Sequence, residues 1–220
     1  MKPEREKIPE WMRQPGVPAP APAAAPAKPV RFARDPAYSP ASTADRDGLA
    51  VVTCHFNFAG YDAPVRNLRR FLREMDSQGV PVYGLELVLP GAESIMSGAP
   101  RWTVREIDDR YLVWQKEAAM NAVVATLPES VRYVAIVDAD LAFEDFAWAS
   151  HSVDALTTAL AMQPFEEAVW TDQRGAPELV RRCAASHGLD AAWGTHPGFA
   201  WVIRREFWTE GPGLYPWCVT

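Results

Sequence analysis

The sequence is poor in cysteine. Its 220 residues include only Cys54, Cys183 and Cys218, which are widely spaced and form no Cys-x-x-Cys pair. Zinc sites and disulfide frameworks use closely or regularly spaced cysteines, so this pattern indicates neither. Separate thiols are typical of a protein in a reducing compartment, and we expect a cytoplasmic location.

The sequence also lacks a long apolar run. Lys2, Arg5 and Lys7 are basic, but proline and charged residues interrupt any apolar stretch that could form a signal peptide. No stretch is long enough for a transmembrane helix. From Gly48 onward there are fourteen Lys and Arg against twenty-two Asp and Glu, so a nucleic-acid partner is not expected.

Residues 1–47 lack the composition of a folded core. They are rich in proline and alanine, with the run Pro18-Ala-Pro-Ala-Pro-Ala-Ala-Ala-Pro26 at their centre. Repeated proline removes backbone donors and favours extended conformations, so we predict a disordered or semi-stiff arm. Residues 48–220 are long enough for one α/β domain.

The clearest motif of that domain is an apolar run that ends in two carboxylates. Residues 133–137 read Tyr-Val-Ala-Ile-Val and are followed by Asp138-Ala-Asp140. A run without polar alternation predicts a strand covered on both faces of a sheet, and ligands of α/β sheets bind at the carboxyl ends of such strands. Two carboxylates two residues apart can bind one hard cation, which in turn can neutralise a diphosphate.

Two other interpretations of this motif stay open. An Asp-x-Asp sequence after a strand is also an ordinary turn or helix-cap signal. A strand followed by Asp-x-Asp also resembles the nucleophile loop of haloacid-dehalogenase-like phosphatases. That family usually has Thr or Val two positions after the second Asp, where this sequence has Ala142, and it expects the motif near the start of the fold.

The remaining pattern predicts alternating strands and helices. An amphipathic helix is expected around Leu68, Phe71, Leu72 and Met75, with its arginines in water. The predicted strands are Leu49–Cys54, Val82–Leu89, Trp102–Ile107, Tyr133–Val137 and Glu167–Trp170, and an aromatic strand follows Gly198. The other predicted helices are Leu112–Leu127, Trp148–Met162 and Leu179–His187.

Polar and aromatic residues of two segments are candidates for ligand contact. In the helix before the carboxylates, Asn121 would be costly to bury without a partner, so Lys116 and Asn121 are candidates to face a polar ligand. Gly198 permits close backbone approach. Trp201 offers the flat apolar surface on which sugar rings pack, although a core position is a common alternative for tryptophan.

Together these residues resemble the GT-A class of nucleotide-sugar glycosyltransferases, of the family-2-like or galactosyltransferase-like kind. The resemblance covers most of residues 48–220. It rests on Thr53-Cys-His-Phe-Asn57 at the end of the first strand, Gln115-Lys-Glu with Asn121, Asp138-Ala-Asp140, and Gly198-Phe-Ala-Trp201 leading to Gly211-Pro-Gly-Leu-Tyr215.

The resemblance implies a fold, an activity and a site. The fold would be α/β and Rossmann-like, with a mostly parallel central sheet flanked by helices. The activity would be metal-assisted transfer of a sugar from a nucleotide-diphosphate donor to an acceptor, which could be a glycan, lipid or protein. Asp140 and Asp138 would bind Mn²⁺ or Mg²⁺. The implied donor-binding residues are Thr53, His55, Asn57, Lys116, Asn121, Asp138, Gly198, Phe199 and Trp201.

Two parts of the family pattern are not found: the catalytic base and a later metal ligand. Members of the class typically continue into a helix that carries the base, whereas this sequence stops at Thr220. Asp172, at the end of a predicted strand, is the candidate that remains. We therefore expect donor binding with slow transfer or none, and a catalytically impaired or truncated nucleotide-sugar-binding domain is the alternative.

Overall fold

A computed structural model describes residues 48–108, 115–172, 174–187 and 194–215. The predicted amino-terminal arm lies outside these ranges. The strands are β1 (Leu49–Phe56), β2 (Val82–Val88), β3 (Trp102–Glu106), β4 (Tyr133–Val137), β5 (Ala161–Met162), β6 (Glu167–Thr171), β7 (Pro177–Cys183), β8 (Thr195–His196) and β9 (Ala200–Arg204). The helices are α1 (Asp62–Ser77), α2 (Lys116–Val124), α3 (Trp148–Ala155), α4 (Ala184–His187) and α5 (Glu206–Thr209).

In the described part of the chain, the central sheet has six strands in the order β3-β2-β1-β4-β9-β5. The strands β3, β2, β1 and β4 pair in parallel, whereas β9 is antiparallel to both β4 and β5. The sheet is therefore mixed. A smaller sheet has the order β6-β7-β8, and its strands lie between β5 and β9 along the chain.

Hydrophobic side chains cover both faces of the central sheet. On one face, Val51 of β1 packs in a cluster with Phe71 of α1 and Trp148 of α3. On the other face, Val52 of β1 packs in a second cluster with Met120 of α2. Successive residues of a strand point to opposite faces, so an uninterrupted apolar strand is what a two-sided core requires.

Several predicted elements are confirmed. The strand at Tyr133–Val137 has the predicted bounds, and its last four residues are buried. In α1, Leu68, Phe71 and Met75 are buried. The arginines predicted to face water are exposed: Arg66, Arg69, Arg70 and Arg73. For the predicted helix Leu112–Leu127, the structure describes α2 from Lys116 to Val124, and residues 109–114 lie outside the described ranges.

Two predicted helices are wrong in part. The helix expected over Trp148–Met162 ends at Ala155, and Ala161 and Met162 instead pair with β9. The helix expected over Leu179–His187 is reduced to α4, because Leu179 and its neighbours belong to β7, which pairs with β6. Met162 pairs with Val202, forty positions away, whereas Leu179 pairs with Trp170 across a short turn. In both places, strand pairing overrides the local preference for a helix.

Within the described ranges, no helix combines the length and the apolar character needed to cross a membrane.

Candidate functional site

A cavity of about 280 Å³ lies at the carboxyl ends of β1 and β4. These two strands are parallel neighbours at the centre of the sheet, so the loops that follow them meet at one edge. Its lining consists of Thr53, Cys54, His55, Phe56, Ala63, Pro64, Asn67, Lys116, Met120, Asp138, Ala139 and Asp140. The cavity thus joins the end of β1, the starts of α1 and α2, and the carboxylate loop.

Asp138 is held in the cavity by its backbone and by its side chain. Its N–H donates a hydrogen bond of 2.9 Å to the carbonyl oxygen of Phe199, which continues the antiparallel pairing of β4 and β9. Its carboxylate forms an ion pair with the Lys116 ammonium group. The two side chains are 27% and 22% exposed, so the pair is accessible from the cavity.

Asp140 is the second carboxylate of the cavity. Partial burial raises the pKa of its carboxyl group above the ordinary value, and the negative charge of Asp138 raises it further. Lys116 and Arg70 oppose this shift. The residue keeps substantial exposure, so the desolvation is incomplete. The two carboxylates are close enough to repel each other, which a bound cation would relieve.

The carboxylates of the cavity are few for a metal ion on their own, but they suit a cation that is also bound by a phosphate ligand. Among the described residues, no group of three or more His, Cys, Asp or Glu side chains could hold a metal ion. Asp138 and Asp140 supply two carboxylates. Mg²⁺ is commonly held in this way, by one or two carboxylates with water and substrate phosphates in the remaining positions.

Thr53 brings an unsatisfied hydroxyl group to the cavity. The residue is 1% exposed, and within the described part of the chain its Oγ1 has no hydrogen-bond partner. A buried hydroxyl without a partner costs free energy, roughly 1–3 kcal/mol in proteins. A polar atom of a bound ligand is a natural partner for it.

Burial disfavours the charged forms of His55 and Cys54. Burial lowers the pKa of His55, and the nearby Glu86 opposes this shift. Glu86 is itself held by the Ser94 hydroxyl at 2.5 Å and the Met96 N–H at 3.0 Å. Burial raises the pKa of the Cys54 thiol to about 12, so it is not a thiolate nucleophile.

Asn57 and Asn121 lie outside the lining described for the cavity, and both are engaged by the protein. Asn57 accepts the N–H of Tyr61 at 3.0 Å and donates to its carbonyl at 2.7 Å, which closes the loop before α1. Asn121 accepts the indole N–H of Trp208 and the N–H of Leu214, and donates to the Leu214 carbonyl. Contact of either residue with a donor stays a prediction.

The Gly198–Trp201 segment reaches the site through its backbone. A Cβ at Gly198 would lie 2.9 Å from the His196 ring, so any other residue here would force that ring to shift. The indole N–H of Trp201 donates to the Pro197 carbonyl at 2.7 Å. Gly198, Phe199 and Trp201 are not among the described lining residues of the cavity. Their contact with a donor sugar stays a prediction.

Asp172 lies at the turn between β6 and β7. Its carboxylate accepts the N–H groups of Arg174 and Ala176, each at 2.8 Å. These backbone hydrogen bonds, first that of Ala176, hold the pKa of Asp172 below its ordinary value. The contacts suit a residue that shapes the turn, and a lowered pKa weakens a general base.

Four lining residues were not singled out in the sequence: Ala63, Pro64, Asn67 and Met120. They lie on α1 and α2. Asn67 could have been found as a polar residue one position before the apolar stripe of α1, but the pattern alone does not say that this end of the helix faces the carboxylates.

Comparison with known proteins gives limited information. No family model and no curated protein match the chain. One matching solved structure is the crystal structure of 4-diphosphocytidyl-2C-methyl-D-erythritol synthase from Anaerococcus prevotii. It is 9% identical with a TM-score of 0.41, and the match covers 74% of this chain and 73% of that chain. Conclusions about chemistry therefore rest on the cavity itself.

Proposed function

We propose that this chain is a GT-A-like glycosyltransferase domain that binds a nucleotide-diphosphate sugar in the cavity together with Mn²⁺ or Mg²⁺. The observation that carries the proposal is the meeting of Thr53, Lys116, Asp138 and Asp140 in one cavity at the carboxyl ends of β1 and β4. These residues come from three separate parts of the chain. The acceptor is a glycan, lipid or protein hydroxyl.

Each group has a role suited to its chemistry. Asp138 and Asp140 hold the cation, and the Lys116 ammonium group contacts the donor phosphates. A bound cation would supply Lewis-acid chemistry, which stabilises negative charge on a leaving diphosphate. The Thr53 hydroxyl and the neutral His55 imidazole, both at the end of β1, offer hydrogen bonds to the nucleoside.

A nucleotide-sugar-binding domain with little turnover is the second candidate. It is favoured by the contacts of Asp172, because its carboxylate is occupied by two backbone N–H groups. Loss of a general base commonly costs roughly 10²–10⁴-fold in rate. Both candidates share the same donor site and differ only in acceptor activation.

The test is calorimetric titration with a panel of nucleotide sugars and Mn²⁺, with and without a chelator. We expect binding to require the cation. Asp140→Asn should weaken cation-dependent binding by at least ~1–3 kcal/mol, the scale of a hydrogen bond to a charged group. Asp76→Asn is the matched control, because Asp76 is an exposed carboxylate near the end of α1.

Three results would count against the proposal. Equal affinity with and without chelator removes the metal role from Asp138 and Asp140. A strongly lowered melting temperature of the Asp140→Asn variant would instead indicate that Asp140 stabilises the turn after β4. Hydrolysis of a generic phosphoester, without binding of any nucleotide sugar, favours a phosphatase.

A further inference from the structure

The ion pair between Lys116 and Asp138 occupies a carboxylate that the proposed cation also needs. Lys116 is the first residue of α2, and Asp138 directly follows β4. Their side chains meet inside the cavity and both remain partly exposed. The ion pair can therefore open toward a ligand without unfolding either element.

A divalent cation and the Lys116 ammonium group cannot both bind Asp138 without strong repulsion. Charges a few ångströms apart in a partly buried site interact strongly, because the surrounding medium screens them less than water does. Asp140 lines the same cavity as Lys116 and Asp138. The two carboxylates and the ammonium group thus form one electrostatic unit.

A diphosphate offers Lys116 a second anionic partner. A phosphate group that enters the same cavity can take up the ammonium group, since lysine binds phosphate as a compact point charge. The Asp138 carboxylate would then be left with an accessible negative charge beside Asp140. A divalent cation matches that pair of carboxylates.

We propose that Lys116 is a displaceable counter-ion that binds Asp138 in the empty cavity and moves to the donor diphosphate, which frees Asp138 for the divalent cation. This inference rests on the proposed function and assigns the order in which charges are exchanged at its site. Lys116 therefore weakens binding of the cation alone and strengthens binding of the diphosphate alone. The two ligands favour each other in the wild-type protein, and by thermodynamic linkage the effect is reciprocal.

The test measures Mn²⁺ alone and inorganic pyrophosphate alone, by calorimetry and by Mn²⁺ electron paramagnetic resonance. Pyrophosphate presents the diphosphate without a base or a sugar, so the result does not depend on the identity of the donor. We expect Lys116→Gln to bind Mn²⁺ roughly five- to 150-fold more tightly than the wild type, the ordinary range of coupling between two ligands. The same variant should bind metal-free pyrophosphate more weakly.

Three variants serve as controls. Lys116→Arg keeps the positive charge and should keep the weak Mn²⁺ binding of the wild type. Arg69→Gln removes the same charge from the exposed face of α1 and should change neither affinity. Asp140→Asn combined with Lys116→Gln should lose the gain in Mn²⁺ affinity, which would assign that gain to the carboxylate pair.

Unchanged or weaker Mn²⁺ binding by Lys116→Gln would overturn the proposal, because Lys116 would then not compete with the cation. Unchanged pyrophosphate binding would overturn the transfer of Lys116 to the diphosphate. The outcome is separable from that of the proposed function. If the expected Mn²⁺ and pyrophosphate changes are seen but no nucleotide sugar binds, the charge exchange holds and the glycosyltransferase assignment fails. If a nucleotide sugar binds but Lys116→Gln leaves the Mn²⁺ affinity unaltered, the donor site holds and the charge exchange fails.

Discussion

The N–H of Asp138 donates a hydrogen bond to the carbonyl oxygen of Phe199 at 2.9 Å. Phe199 is a bulky residue with a φ of 73°, in the left-handed region. Its ring stacks on His196 with a centroid distance of 4.0 Å and lies 4.8 Å from Trp170. Aromatic packing therefore holds a strained backbone at the position that sets the start of the carboxylate loop.

Replacing Phe199 by glycine should destabilise the fold less than replacing it by alanine. Both variants lose the ring, but glycine adopts a left-handed backbone without the cost of about 1 kcal/mol that alanine incurs. We expect urea denaturation to show that Phe199→Gly is less destabilised than Phe199→Ala. If alanine were the better replacement, the left-handed conformation would not be a source of strain.

Glu74 should produce a pH-dependent loss of stability. It accepts the N–H of Phe143 at 3.0 Å, and burial raises its pKa above the ordinary value, opposed by that hydrogen bond and by Arg70. The folded state thus binds the proton more tightly than the unfolded state. Its stabilising contribution is complete below the ordinary carboxyl pKa and is lost as pH rises through the raised pKa.

Glu74→Gln should remove this slope, because glutamine keeps an oxygen that can accept the Phe143 N–H and does not ionise. Thermal melts at several pH values between 4 and 7 measure this slope, because the range begins near the ordinary carboxyl pKa of about 4.3. The melting temperature of the variant relative to the wild type should increase with pH. Parallel curves for the two proteins would contradict this account.

Asn121→Ala should destabilise the fold without affecting ligand binding. The Asn121 side chain makes three hydrogen bonds, to Trp208 and to both backbone groups of Leu214. Leaving such partners unsatisfied costs roughly 1–3 kcal/mol, measurable by chemical denaturation. Weaker binding of nucleotide sugars with unchanged stability would instead place Asn121 at the donor, as the sequence predicted.

Asp172→Asn should leave any sugar transfer unchanged, because asparagine can still accept the N–H groups of Arg174 and Ala176 and so keep the turn. The measurement is the initial rate of transfer under saturating donor. If Asp172 is the base, the rate should instead fall roughly 10²–10⁴-fold. Asp172→Ala, which loses both hydrogen bonds, separates an effect on the turn from one on catalysis.

Much of the central sheet could be predicted from sequence. The apolar run at 133–137 is long enough for a strand and too uniform for a surface position, so its burial follows from composition alone. Apolar runs also identified β1 and β2, and an amphipathic pattern identified α1. These local patterns failed at β5 and β7, because Met162 and Leu179 are strand residues only through their partners Val202 and Trp170.

Local sequence is sufficient to predict that two carboxylates follow a buried strand, because the apolar run and the two aspartates are adjacent in the chain. Which side chains meet the carboxylates depends on the tertiary fold. Lys116 reaches Asp138 across 22 positions of sequence, and Asn121 turns instead to Leu214, 93 positions away. Polar side chains bind whichever partner the packed elements bring within hydrogen-bond distance, and that choice depends on strand order and helix placement rather than on local pattern.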